Sequence, residues 1–294
     1  MRRILIGFDG SSHGDDAIAL GQVLAQAAGA EAVVAIAYKP VVPKDSSGTE
    51  SDYQARLRYE AEQELERARG LAPELPAEAF RTVRGSAASG LHRLAEELEA
   101  DAIVVGTSHR GTLGRVWAGS ATEQVLHGAP CAVAVAPVDY AQLPQERRAL
   151  RRIGVAYDGS PEAKVALHEA VALAKPTHAR VAPISVVDLR TPTTIAYGYE
   201  KYVDAVRELA AVELREAGHE IAGAADVDLV KLEGEPAQEL ARASADVDLL
   251  VAGSRGYGPV RRVLLGSVSS RLVREAQSPL LLLPRSAIES DEES

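Results

Sequence analysis

Leu249-Leu250-Val251-Ala252-Gly253-Ser254-Arg255-Gly256, followed after nine residues by Gly266-Ser267, is the stretch that decides the fold. A short apolar run ends in glycines and leads on to a helix-like segment. Glycines let backbone N–H groups come close to an anion, and a helix N-terminus adds unpaired donors and a partial positive charge. The same phrase stands earlier as Ala102-Ile103-Val104-Val105-Gly106-Thr107-Ser108-His109, nine residues, then Gly119-Ser120. The later copy has Gly256 where the earlier one has His109. The spacing predicts two related phosphate-binding sites that are not identical.

The repeat extends outward from these loops. Arg2-Arg3-Ile4-Leu5-Ile6-Gly7-Phe8-Asp9-Gly10-Ser11 lines up with Arg151-Arg152-Ile153-Gly154-Val155-Ala156-Tyr157-Asp158-Gly159-Ser160 at an offset of 149. Gly85 and Gly234 align at that offset, and the glycine loops at 147. A repeat of this length is a duplicated domain rather than a solenoid unit. The boundaries read as a first domain over 1–138, a polar, aperiodic linker over 139–150, a second domain over 151–285, and a disordered acidic tail over 286–294.

Strands and helices alternate within each half. Residues 4–8, 32–38, 81–83, 102–105 and 132–136 read as strands of the first half, and residues 13–28, 53–69, 89–99 and 121–127 as its helices. In the second half the third strand is read over 227–232 and the last over 280–283. Ser12 with Asp15 reads as a capping box, and Ser160 as an N-cap ahead of Pro161. Such alternation gives an α/β fold, a parallel sheet with helices on both faces. The ligand site of such a sheet lies beyond the strand C-termini at the switch in strand order. That brings Asp9 beside Gly106, and Asp158 beside Gly253.

Composition supports this class. Of 294 residues 46% are hydrophobic but only 4% aromatic, so the cores are built from Ala, Val, Leu and Ile, as in buried parallel strands. A net charge of −10 argues against nucleic-acid or anionic-membrane partners. Cys131 is the only cysteine, which excludes an intrachain disulfide and a cysteine-rich metal site. No signal-peptide pattern and no membrane-length apolar run is present, so the expected location is the cytoplasm.

Each candidate residue has two readings. Asp9 and Asp158 are ordinary turn residues, or carboxylates for a ribose, a base edge or a metal; the neighbouring loop favours the second. Gly253, Gly256 and Gly266 serve a strand-to-helix connection needing positive φ, or a phosphate cradle. Ser267 caps a helix, places its hydroxyl on a phosphate, or does both. Ser120 offers the same choice, with Glu123 completing a capping box. His109 is a surface histidine, a phosphate contact, or a side chain narrowing the first pocket. No Walker-type G-x-x-x-x-G-K-[ST] loop, no G-x-G-x-x-G after the first strand and no nucleophile elbow occurs, and the histidines do not cluster at metal-ligand spacing. No efficient catalytic constellation is legible.

At these residues the chain resembles the universal stress protein family in its tandem two-domain form. The ATP-binding members carry G-x2-G-x9-G-[ST], matched by Gly253, Gly256, Gly266 and Ser267. The first half keeps Gly106, Gly119 and Ser120, with His109 at the second glycine. The first-strand aspartate falls on Asp9 and Asp158, and Ala129-Pro130-Cys131-Ala132-Val133 looks like the family's approach to its last strand. The resemblance implies two Rossmann-like domains of the adenine-nucleotide alpha hydrolase-like type, each a five-stranded parallel sheet in order 3-2-1-4-5. It implies ATP, alone or with Mg2+, or another adenine nucleotide in the cleft. By the same carry-over Tyr38 and Val186 line the adenine. Ala121-Thr122 and Val268-Ser269 lie along the phosphates, and Ser108 and Arg255 sit inside the loops. Pairing of the two last strands would make an intrachain pseudo-dimer, with a homodimer of whole chains left open. The loops over 40–52 and 188–198 are placed as lids or are plain connections. The expected function is a stress-linked regulatory protein that binds nucleotide without rapid turnover. A slow nucleotide hydrolase with at most weak ATPase activity, and a nucleotide-free interaction module, are the rivals.

Overall fold

A computed structural model describes residues 1–39, 50–107, 120–189, 199–254, 263 and 265–284; the side chains of residues 50–54, 120 and 199 fall outside the description as well. The first half runs β1 (Arg3–Phe8), α1 (Ser12–Ala28), β2 (Glu31–Tyr38), α2 (Glu50–Leu71), β3 (Phe80–Arg84), α3 (Ala87–Leu98), β4 (Ala102–Gly106), α4 (Ser120–Leu126) and β5 (Ala132–Ala136). A short helix, α5 (Gln145–Arg148), precedes the second half: β6 (Arg152–Ala156), α6 (Pro161–Thr177), β7 (Arg180–Val187), α7 (Tyr199–Ile221), β8 (Asp226–Val227), β9 (Val230–Glu233), α8 (Pro236–Ala243), β10 (Leu249–Gly253), α9 (Ser267–Glu275) and β11 (Leu280–Leu283).

The strands form one sheet in the order β3-β2-β1-β4-β5-β11-β10-β6-β7-β8, with β9 also on β7. Each half thus has the order 3-2-1-4-5, and every pairing within a half is parallel. The halves meet where β11 pairs antiparallel with β5, Leu281 opposite Ala134. All five residues of β5 and all four of β11 are buried, so neither presents an open edge.

Strand alternation divides the core into two layers. Ile4, Ile6 and Phe8 point to α1 and α2, with Ile153 and Val155 joining α6 and α7 in the same layer. Leu5, Ile103 and Val105 face α3 and α4, and Leu250 and Ala252 face α8 and α9. Side chains buried on both faces explain the near-continuous apolar runs of these strands.

An unanticipated device fixes the start of each first strand. The carboxylate of Asp101 accepts the backbone N–H groups of Arg2 and Arg3, and Asp248 accepts those of Arg151 and Arg152 at 2.8 Å each. Burial alone would push the Asp101 carboxyl up, but these donors hold it below its ordinary value.

Three sequence expectations need correction. The N-cap of α1 is Ser11, not Ser12: the Ser11 hydroxyl accepts from His13 N at 3.2 Å and Gly14 N at 3.4 Å. The third strand of the second half is split into β8 and β9. Asp228 N donates to Val181 O at 3.0 Å, so alternate residues of β7 from Val181 face this edge. Pro183 is the next of them and has no N–H to give, so the ladder is interrupted there. The segment expected to be a plain linker is built into the fold. It holds a 3-10 turn at Tyr140–Gln142, Tyr140 and Leu150 are buried, and backbone N–H groups of Asp139 and Ala141 donate to buried Asp16. The expected lid loops fall largely, and the acidic tail wholly, outside the described residues.

Candidate functional site

The two halves place related cavities at the C-terminal ends of their central strands. The second-half cavity has a volume of about 290 Å³. Its floor is the end of β6, β7 and β10, at Ala156, Ile184, Val186, Ala252 and Gly253. Its walls are the first turns of three helices, through Glu162 and Ala163 of α6, Pro236 of α8, and Ser267, Val268 and Ser269 of α9. First-turn N–H groups have no partner within their own helix. Three such ends converge here on one cleft, which favours an anion.

The first-half cavity is about 90 Å³. Asp9, Gly106, Ala121 and Thr122 line it, as Asp158, Gly253, Val268 and Ser269 line the second. Two replacements stand out at the repeat offsets. Val105 stands where the second half has Ala252, adding two methyl groups to the floor, and His13 stands where it has Glu162. Among the described residues, Nδ1 of His13 is buried without a hydrogen-bond partner.

The aspartates are turn residues first. Asp158 Oδ1 accepts Ser160 N at 3.2 Å and the Ser160 hydroxyl, whose oxygen in turn accepts Ala163 N at 3.2 Å. Asp9 Oδ1 accepts Ser11 N at 3.0 Å and the Ser11 hydroxyl at 2.6 Å. Gly10 and Gly159, at φ +74° and +72°, make the turn that allows this. Both carboxylates remain exposed at the cavity mouth, so the turn role and a ligand role are compatible.

Gly106 and Gly253 are required for a reason the sequence does not show. Neither is among the positive-φ glycines. A Cβ on Gly106 would meet the carbonyl oxygen of His13 at 1.9 Å, and one on Gly253 would meet Glu162 Cβ at 2.7 Å. The glycines let the first turns of α1 and α6 close onto β4 and β10.

At α9 the N-cap is Gly266, and Ser267 is the first helical residue, so Ser267 is not the cap. The N–H of Gly266 donates to the Ser269 hydroxyl at 2.8 Å. Ser269 and its counterpart Thr122 therefore serve the backbone; the Thr122 hydroxyl donates to Gly106 O at 2.8 Å. Ser120 begins α4, with its side chain outside the described residues. Arg271 reaches from α9 to Glu235 at the start of α8, holding two walls of the second cavity together.

Val186 lines the second cavity. Tyr38 does not line the first. Register pairs Gly7 with Ala35 and Ala156 with Ile184, which makes Ala37 the counterpart of Val186. Ala37 lines the cavity, while Tyr38 points to the opposite core layer. Ser108, His109, Gly119, Arg255 and Gly256 lie outside the described residues.

Sequence reasoning passed over Thr107 and Ser254, which follow the two strand-end glycines. Both are fully buried, and among the described residues neither hydroxyl has a hydrogen-bond partner. An unpaired buried hydroxyl costs about 1–3 kcal/mol. Comparing the copies shows a hydroxyl residue at both loop bases, but the cost is legible only with burial in hand. The second cavity sets apolar Ile184 and Val186 on one side, helix N-termini on the other, and Asp158 between. Among the described residues no group of three or more His, Cys, Asp or Glu side chains is placed to hold a metal ion, and no helix is long and apolar enough to cross a membrane.

Comparison with known proteins adds the following. The chain matches the universal stress protein family over residues 1–137 and again over 149–284. It is 31% identical over 191 residues to a universal stress protein of Mycobacterium tuberculosis, covering 64% of this chain and 63% of that protein, so the match spans under two thirds of the relative's length. It is 35% identical over 133 residues to a universal stress protein of Thermus aquaticus, covering 45% of this chain and 96% of that one. A universal stress protein structure from Archaeoglobus fulgidus has the same fold, with a TM-score of 0.69 and 22% identity over 97% of this chain and 98% of its own.

Proposed function

The chain belongs to the universal stress protein family, and from that premise we propose that its second half binds an adenine nucleotide, ATP first among them, as a regulatory ligand in stress rather than as a rapidly consumed substrate. The observation that carries this reading is the cavity of about 290 Å³ beside Asp158, at the half whose glycine motif is complete. In this reading Ile184 and Val186 take the adenine, Asp158 accepts hydrogen bonds from the ribose, and the first turn of α9 at Gly266, Ser267 and Val268 receives the phosphates. Arg255 and Gly256 contribute from the loop. Any Mg2+ would arrive on the phosphates, with Asp158 and Glu162 as the carboxylates lining the cavity. The first half, with a cavity of about 90 Å³ and His109 at the second glycine, is a diverged partner. Among the described residues no triad for turnover lines either cavity.

Calorimetry with ATP on the wild type and on Gly256→His tests the reading. One ATP per chain, lost in the variant, supports it. Two ATP per chain would restore the first half as a site. No heat in either protein would remove the nucleotide and leave an interaction module.

A further inference from the structure

The approach to Gly266 does not belong to the second half alone. Val263, three residues ahead of Gly266, is tied by its backbone to the first half. Its N–H donates to Ala129 O at 3.0 Å, and its carbonyl accepts the N–H of Gly128 at 3.0 Å. Gly128 and Ala129 form the turn between α4 and β5, with Gly128 at φ +79°. The Val263 side chain is fully buried in the core layer that also holds Val125, Leu126 and Ala129. Leu265 packs on the same layer and shares a groove with Glu123 of α4 and with His127 just past its end. The chain therefore rests on the first half immediately before it enters α9, whose first turn walls the second cavity.

We infer that Val263 is a positioning residue for the second-half site, and that the first half completes this site by holding the approach to Gly266. The inference rests on the nucleotide reading of the second cavity. A phosphate-binding helix end works only if its approach is fixed before the ligand arrives, because ordering it on binding would be charged against affinity. Two backbone hydrogen bonds and a buried side chain supply that fixation from the neighbouring half. The same contact makes Gly128 a reporter. A ligand that orders the start of α9 steadies Val263, and so steadies the hydrogen bond from the Gly128 amide.

The test pairs ATP calorimetry on wild type, Val263→Ala and Val263→Ile with amide hydrogen exchange on the full chain. Val263→Ala should weaken ATP binding about five- to twentyfold at unchanged stoichiometry, at a temperature where circular dichroism shows both proteins folded. Val263→Ile should restore near wild-type affinity. In the wild type, saturating ATP should slow exchange of the Gly128 amide and leave that of Ala132, which donates to Asp101 O, unchanged. A contact that is only structural would lower the melting midpoint and move neither affinity nor exchange. Wild-type affinity in Val263→Ala, or a Gly128 amide indifferent to ATP, overturns the inference while the nucleotide reading stands. Absence of ATP binding in the wild type overturns both. The exchange measurement needs no variant, so it decides the matter even if Val263→Ala fails to fold.

Discussion

The carbonyl oxygen of His13 stands 1.9 Å from where a Cβ on Gly106 would lie, so β4 and the first turn of α1 meet with no room for any side chain. The equivalent contact in the second half is looser, with Glu162 Cβ at 2.7 Å and its carbonyl oxygen at 2.9 Å from a Cβ on Gly253. Overpacking of a tight interior costs about 1–3 kcal/mol. Gly106→Ala should fall at or above the top of that range and Gly253→Ala near its middle, read as urea midpoints. Wild-type stability in both variants would show that ligand chemistry, not packing, requires these glycines.

The caps separate the two readings of the first helix start. Ser11→Ala and Ser160→Ala should each cost about 1 kcal/mol, the usual loss on removing an N-cap hydroxyl. Ser12→Ala should change little, since Ser12 is already helical and exposed. Thermal melts of the three variants decide it, and a loss in Ser12→Ala matching that in Ser11→Ala would contradict the observed cap.

The floor of the second cavity offers a direct test of why the halves differ. Ala252→Val copies Val105 into the larger cavity. Ala252 lines the cavity, which has room for the added methyl groups, so stability should stay within about 1 kcal/mol of wild type. ATP affinity should fall at least tenfold. Unchanged affinity would mean that the difference in volume between the two cavities does not set which half binds.

Much of the fold was legible because its signals are local. The runs at Ile4-Leu5-Ile6 and Ile103-Val104-Val105 are apolar on both strand faces, and their alternation with helical segments left one reasonable sheet type. The offset between the copies gave the second half from the first. What failed depends on register or on distant partners. Choosing between Ser11 and Ser12 needs the backbone angles of the turn at Gly10. Choosing Ala37 over Tyr38 needs strand parity, which a one-residue slip inverts. Pro183 was visible, but not that its missing N–H faces β8 and β9. Asp16 and Val263 look ordinary in sequence because their partners, Ala141 and Ala129, lie 125 and 134 positions away. The site was legible as glycine spacing, while the unpaired hydroxyls of Thr107 and Ser254 appear only once burial is known.

Asp16 gives the chain a pH dependence confined to the first half. Its side chain is 2% exposed, and its two oxygens accept Ala141 N at 2.8 Å and Asp139 N at 3.1 Å. Burial pushes the carboxyl up to about 6 from 3.8, against the pull of those two N–H groups and of His13. Between about pH 4 and pH 6 the folded chain then holds a proton that the unfolded chain has released. Stability from this group is highest below pH 4 and declines as pH rises through the window. A shift of about two pH units corresponds to about 3 kcal/mol. Asp16→Asn removes the titration. The wild-type minus variant unfolding free energy, from urea curves at pH 4 and pH 7, should therefore fall by about 2 kcal/mol, the rest of the effect lying below pH 4. The second half has Val165 at this position, 37% exposed, so Val165→Asn should show no comparable change with pH. A wild-type minus Asp16→Asn difference that stays level from pH 4 to pH 7 would mean that the donors of the 139–141 turn outweigh burial and keep Asp16 ionised throughout.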